Sequence, residues 1–118
     1  MTPYILIQCT AAPYSTSSSI DAFEAALAAS NIGLHVKCVF MHDGVYQLVS
    51  AQDASEIKQK NMFKKLSALP LFDIEDCFVL SNCLIQRDLS KQQINNADII
   101  NSDQFNQLCQ QAQHILVF

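Results

Sequence analysis

Two cysteines six positions apart, Cys77 and Cys83, bracket the apolar run of "DCFVLSNCLI" (76–85). A thiol reacts as its thiolate, so a working cysteine needs access and a neighbour that favours the anion. Cys83 falls just beyond the predicted end of a strand, with Arg87 four residues on, and is the better-placed candidate nucleophile. Cys77 opens a strand expected to be buried, where desolvation disfavours the thiolate and raises its pKa. The plain alternative is that both thiols only fill space, since free cysteine is among the most buried residue types.

Other chemistry finds less support. Cys9 precedes a Ser/Thr-rich loop, the place a cysteine phosphatase gives its nucleophile, but the arginine needed six residues on is Ser15 here. Cys9, Cys38 and Cys109 therefore read as packing. Gly33 and Gly44 are the only glycines, so neither a P-loop nor a dinucleotide fingerprint can be written. The Ser15–Ser19 cluster could hold a small anion at a helix N-terminus or simply cap the helix. His35, His42 and His114 stand far apart, with no pair at ligand spacing, so neither a metal nor a cofactor is expected. His42-Asp43 could orient a proton carrier beyond a strand end; a polar turn explains the pair equally well.

The elements that must position these residues alternate. "YILIQC" (4–9) is apolar throughout, as in a strand covered on both faces. A helix is expected from Ser18 or Ser19, with Ile20, Phe23, Ala26 and Leu27 on one face and Gly33 as its stop. "LHVKCVF" (34–40) predicts a second strand with Leu34, Val36, Cys38 and Phe40 on one side, followed by a turn at Asp43-Gly44. Asp53 and Glu56 have capping-box spacing for a helix to Leu69, stopped by Pro70. A third strand is expected at 76–81, a short helix or loop over 82–93, and a fourth strand at 97–100. Ser102 or Asp103 should cap a last helix that presents Phe105, Leu108, Cys109 and Ala112 on one face, before a fifth strand at 114–118. Strands apolar on both faces and alternating with helices predict an α/β fold: a flavodoxin-like three-layer sandwich with a mainly parallel five-stranded sheet. Ligands in such folds bind beyond the carboxyl ends of the strands, which directs attention to loops 10–17, 41–47, 81–92 and 101–103.

The 118 residues suffice for one domain, taken as 1–118. Half the residues are hydrophobic and only 15% are charged, against roughly 25% in soluble domains. Either the fold is buried on all sides or partner chains cover part of it. A net charge of −4, one arginine and a pI of about 5.1 argue against direct nucleic-acid binding. Lys58, Lys60, Lys64 and Lys65 read as one solvated helix face, or alternatively as a patch for an acidic partner. No apolar run is long enough to span a membrane, and "MTPYILIQC" lacks the charged start of a signal peptide. Five cysteines, an odd number, suit reduced thiols in a cytoplasmic protein.

"TAAPYSTSSSIDAFEAALAAS", "VFMHDGVYQLV", "LPLFDIEDCFVLSNCLIQRDL" and the terminal "QHILVF", in that order, resemble the DsrE/DsrF-like sulfur-relay family. The similarity is nearest to its DsrF-type (TusC) subunits. The resemblance implies a hetero-oligomer with TusB- and TusD-like chains that takes persulfide sulfur from TusA and passes it towards TusE, for 2-thiolation of the tRNA wobble uridine. A DsrF-like role in dissimilatory sulfur oxidation is the alternative within the family. The family's sulfur-carrying cysteine belongs to the TusD-type subunit, and alignment on "CLIQR" puts its position at or near Leu80. Neither Cys77 nor Cys83 inherits that role residue for residue, so the chain is expected to be a structural, non-catalytic subunit. Two other readings stay open: a thiol enzyme using Cys83, and a ligand-binding flavodoxin-like domain without sulfur chemistry.

Overall fold

The computed structural model describes residues 3–11, 18–49, 69, 74–91, 94 and 97–118. Strands β1 (Tyr4–Cys9), β2 (His35–Phe40), β3 (Asp76–Leu80), β4 (Asp98–Ile100) and β5 (His114–Val117) form one sheet in the order β4-β3-β2-β1-β5. All four pairings are parallel. Helices α1 (Ser18–Asn31), α2 (Ser81–Gln86) and α3 (Ser102–Gln111) join them, with a 3₁₀ helix over His42–Leu48 after β2. The expected helix from Asp53 to Leu69 and the lysine cluster lie outside the described residues, apart from Leu69 itself.

The layers follow from handedness. The connections β1→β2, β2→β3 and β3→β4 all step the same way along the sheet, and only β4→β5 returns. Right-handed crossovers place forward connections on one face and the return on the other. The larger core accordingly gathers Ile7, Val36, Phe40 and Val79 under α1, with Cys83 and Leu84 of α2 in the same cluster. On the opposite face Tyr4, Leu6, Val39 and Ile100 are buried, with Phe105, Leu108, Cys109 and Ala112 packed against them. β1 thus has core on both sides, as its unbroken apolar sequence requires.

Local details depart from the sequence reading in three places. The buried centre of α1 is Ala22 and Ala26 rather than the large side chains, which flank it half-buried. Small residues at the contact let the helix axis approach the sheet, and Ile20, Phe23 and Leu27 fill the sides. Leu34 does not begin β2 and is 42% exposed. It is instead part of the helix stop: Leu34 N–H donates to Ala29 O and Gly33 N–H to Ser30 O, with Gly33 at φ +86°. That is a Schellman motif. Asp88, at φ +57°, makes the same stop after α2, through Leu89 N–H to Leu84 O and Asp88 N–H to Ile85 O. Finally, α3 is capped by Asn101, not by Ser102 or Asp103. Asn101 Oδ1 accepts from Gln104 N–H at 2.8 Å, and Gln104 Oε1 accepts from Asn101 N–H at 2.9 Å. An asparagine whose partner three residues on is glutamine makes the reciprocal bonds that neither expected residue makes.

These stops and caps give an expected outcome. Asn101→Ala should lower stability by about 1 kcal/mol, and Gly33→Ala by a similar ~1 kcal/mol, because any side chain is strained in the left-handed region. Urea melts of the two variants check both values.

Candidate functional site

The carboxyl ends of the strands carry a connected group of loops. The 3₁₀ helix after β2 sits on the end of β1: Met41 N–H donates to Cys9 O at 3.0 Å. Gly44 comes closer still. A Cβ built there would stand 1.9 Å from Cys9 O and 2.6 Å from Cys9 C, so only glycine fits. In a 3₁₀ helix residues three apart share a face, and Val45 and Leu48, both 0% exposed, turn inward together. Gly44 and Gln47 form the adjacent buried pair. Gln47 is the single buried polar or charged residue among those described, and its Nε2 donates to Ala11 O at 3.0 Å.

Cys83, Asp43 and Arg87 meet at the next strand ends. Cys83 lies in the first turn of α2, buried, and the His42 backbone N–H donates to its Sγ at 3.2 Å. His42 itself is at φ +50°, in the left-handed region that a histidine enters more readily than most residues. Arg87 does not aim at the thiol as its sequence proximity suggested. It donates through Nε (3.2 Å) and Nη2 (3.0 Å) to Asp43 Oδ1, and through Nη1 to the Cys83 carbonyl at 3.3 Å. The loop after β4 joins through Asn82 Nδ2, which donates to Ser102 Oγ at 3.1 Å. Thr10 closes the β1–β5 side, donating both N–H and Oγ1 to Phe118 O at 2.8 Å. Loops 10–11, 41–48, 81–89 and 101–103 therefore form one surface. The Ser15–Ser17 part of the expected anion loop lies outside the described residues, so its place beside Asp43-Gly44 is not among these contacts.

Cys77 is elsewhere. It sits near the amino end of β3, buried, directly paired with Cys38 on β2. Its burial is as the sequence implied, but its direction of shift is reversed. A hydrogen bond from the Cys38 thiol lowers Cys77 from the ordinary cysteine value, against burial and the nearby Asp76 and Asp98 carboxylates. The same bond, with burial, raises Cys38. A cross-strand neighbour invisible in the linear sequence causes the difference. Cys9, at the end of β1, is pushed from 9.0 to about 12, by burial first and then by Cys77. Cys109 on α3 is half-buried and is raised by burial, with Gln8 Nε2 bonded to its sulfur at 3.6 Å.

Of the histidines, His35 pairs with Asp76 (Nε2 to Oδ2, 3.1 Å) at the opposite, amino end of the sheet. His114 is exposed on β5. Among the described residues no three histidine, cysteine or acidic side chains are grouped to hold a metal. No helix of the described residues is long and apolar enough to cross a membrane. Leu80, where the carrier cysteine of the resembled family would fall, is 7% exposed and forms the N-cap of α2.

A sequence model described as the DsrE/DsrF-like family matches residues 4–118, nearly the whole chain. The chain belongs to the DsrE/DsrF-like family. Within the family it is similar to a protein named TusC homolog from Pseudomonas aeruginosa, 32% identical over 104 residues that cover 88% of this chain and 87% of that one. A TusC homolog from Vibrio parahaemolyticus is 34% identical over 108 residues, covering 91% and 92%. The crystal structure of the YchN protein from E. coli superposes with a TM-score of 0.77 at 21% identity, covering 99% of this chain and 100% of that one. That likeness is one of fold. The family's α/β layering is thus shared by a chain of quite different sequence.

Two expected outcomes follow from this geometry. Gly44→Ala should cost about 1–3 kcal/mol or more, since the clash is with the backbone of β1 and not with a movable side-chain tip. The second concerns pH. Cys9 stays protonated in the folded state to about 12, whereas the unfolded thiol ionises near 9.0. The unfolded chain then binds fewer protons, so stability should fall as pH rises above about 9, by up to ~1.4 kcal/mol per pH unit from this thiol. Urea midpoints at pH 8 and pH 10 should differ less in Cys9→Ala than in the parent chain.

Proposed function

We propose that this chain is a TusC-like subunit of a TusBCD-type sulfurtransferase complex, relaying persulfide sulfur from TusA towards TusE for 2-thiolation of the tRNA wobble uridine. Within that complex it acts in the cytoplasm as a one-domain structural subunit and not as a sulfur carrier. The observation that carries the reading is the similarity over about nine-tenths of the chain to proteins named TusC homolog. Its non-carrier part is supported by Leu80 at the expected carrier position and by the burial of all but one of the thiols. The low charge content and the exposed Ile115, Leu116 and Val117 along β5 suit a chain whose surface is partly covered by TusB- and TusD-like partners.

A second reading makes Cys83 the carrier, and one observation favours it: the His42 amide is directed at its sulfur. A carrier must nevertheless present its thiolate to a donor persulfide, and Cys83 is 5% exposed beneath the 3₁₀ helix.

Transfer of labelled sulfur from TusA through the reconstituted complex separates the two. With assembly matched, Cys83→Ser and Cys77→Ser should each leave transfer nearly unchanged. Loss of transfer in an intact Cys83→Ser complex would make Cys83 the carrier. Cys77→Ser should cost about 1 kcal/mol of stability, the lower end for a buried polar group, because the Cys38 thiol remains as its partner. Light scattering should show a stable hetero-oligomer burying more than about 1,000 Å² per contact type; a monomer in the presence of both partners would overturn the assembly.

A further inference from the structure

Cys38 and Cys77 occupy paired positions on the parallel strands β2 and β3. Both side chains point to the face under α1, where they are 3% and 5% exposed. Neighbouring strands lie about 4.7–4.9 Å apart, within the roughly 4.4–6.8 Å between Cα atoms that a disulfide spans. A cavity of about 10 Å³, bordered by Cys9, Ala22, Ala26, Cys38 and Phe40, adjoins the pair on the Cys38 side. Its size is close to that of a single water-sized molecule. The sulfur-relay reading uses neither thiol.

We propose that Cys38 and Cys77 are a two-electron redox pair, closing to a reversible intrachain disulfide when the protein meets a small hydroperoxide. The first sulfur attacks the O–O bond, becomes a sulfenic acid and releases its proton to the departing oxygen as water. The second sulfur then attacks the first and displaces hydroxide, which leaves as water with the second thiol's proton. Two thiols and one hydrogen peroxide give one disulfide and two waters. The hydrogen bond between the thiols favours the pair over its neighbours, because it eases ionisation of Cys77 while Cys9 is held protonated to about 12. Cys9 is in register with Phe40, not with either cysteine, and Cys83 is held at α2 by the His42 amide. Both thiols are buried, so the oxidant must be a small molecule and not a bulky disulfide reagent. The bond would tie β2 to β3 below the points where they run into the 3₁₀ helix and α2, the segments that carry His42, Asp43 and Cys83.

The test is oxidation of the folded chain with hydrogen peroxide, followed by capping of free thiols during acid unfolding and non-reducing peptide mapping. Chymotryptic cleavage after Phe78 or Leu80 separates Cys77 from Cys83. The expected result is a Cys38–Cys77 cross-linked peptide, two hydrogens lighter than its reduced parts, released by a reductant and absent in Cys38→Ala. In that variant Cys77 should instead be trapped as a sulfenic acid by dimedone. A map in which Cys38 and Cys77 remain capped as free thiols, or in which either is linked to Cys9 or Cys83, would overturn the proposal. The parent chain alone supplies that map, so a failure of Cys38→Ala to fold does not spare the idea.

Discussion

The contact of Gly44 with the carbonyl of Cys9 is the constraint on which the rest of the strand-end surface depends. A side chain at residue 44 would overlap the backbone of β1, and without that approach the 3₁₀ helix could not lie flat across the sheet. Once seated, the helix turns Val45 and Leu48 into the core and delivers Gln47 to the Ala11 carbonyl. It also brings the His42 amide over Cys83 and holds Asp43 where Arg87 can clasp it. The Asp43–Arg87 pair is the outermost of these contacts, with the Asp43 side chain 60% exposed. Its net stabilisation is therefore small, about 0–1 kcal/mol. The pair orients two loops; the glycine seat and the apolar row behind it hold them.

Burial sorts the five cysteines into different chemical situations. Cys9 is desolvated without a hydrogen bond that favours its anion, so its proton is retained far into the alkaline range. Cys38 and Cys77 share one proton-sharing contact that shifts them in opposite directions. Cys83 accepts a backbone amide at the mouth of the strand-end surface. Cys109 is only half-buried on α3. Four of the five thiols are thus shielded from solvent, and only Cys109 is partly open to it.

Among the described residues the two faces of the sheet carry different elements. Helices α1 and α2 pack with one face, and the other carries α3. Its ten residues include none that is fully buried. β5, at the edge, leaves Ile115, Leu116 and Val117 substantially exposed.

The alternation of strand and helix, the parallel sheet and the stop at Gly33 were all legible in the sequence. Each is a local matter: a continuous apolar run, a periodic face, or a residue with a special backbone. "VFMHDGVYQLV" and its companion segments also carried the family. Strand order was not legible, because it depends on which way each crossover steps, and no local pattern encodes that. Nor was the choice of Ala22 and Ala26 as the buried centre of α1, which depends on how closely the helix meets the sheet. The glycine at 44 read as a turn, and only the packed structure shows that it is required by the carbonyl of a strand 35 residues earlier. The thiols divide the same way. Sequence sufficed to put Cys77 in a buried strand, since its neighbours are apolar. Tertiary structure alone decided that Cys38 stands beside it and that Arg87 turns to Asp43, because ionisation and pairing depend on groups far away in the chain and near in space.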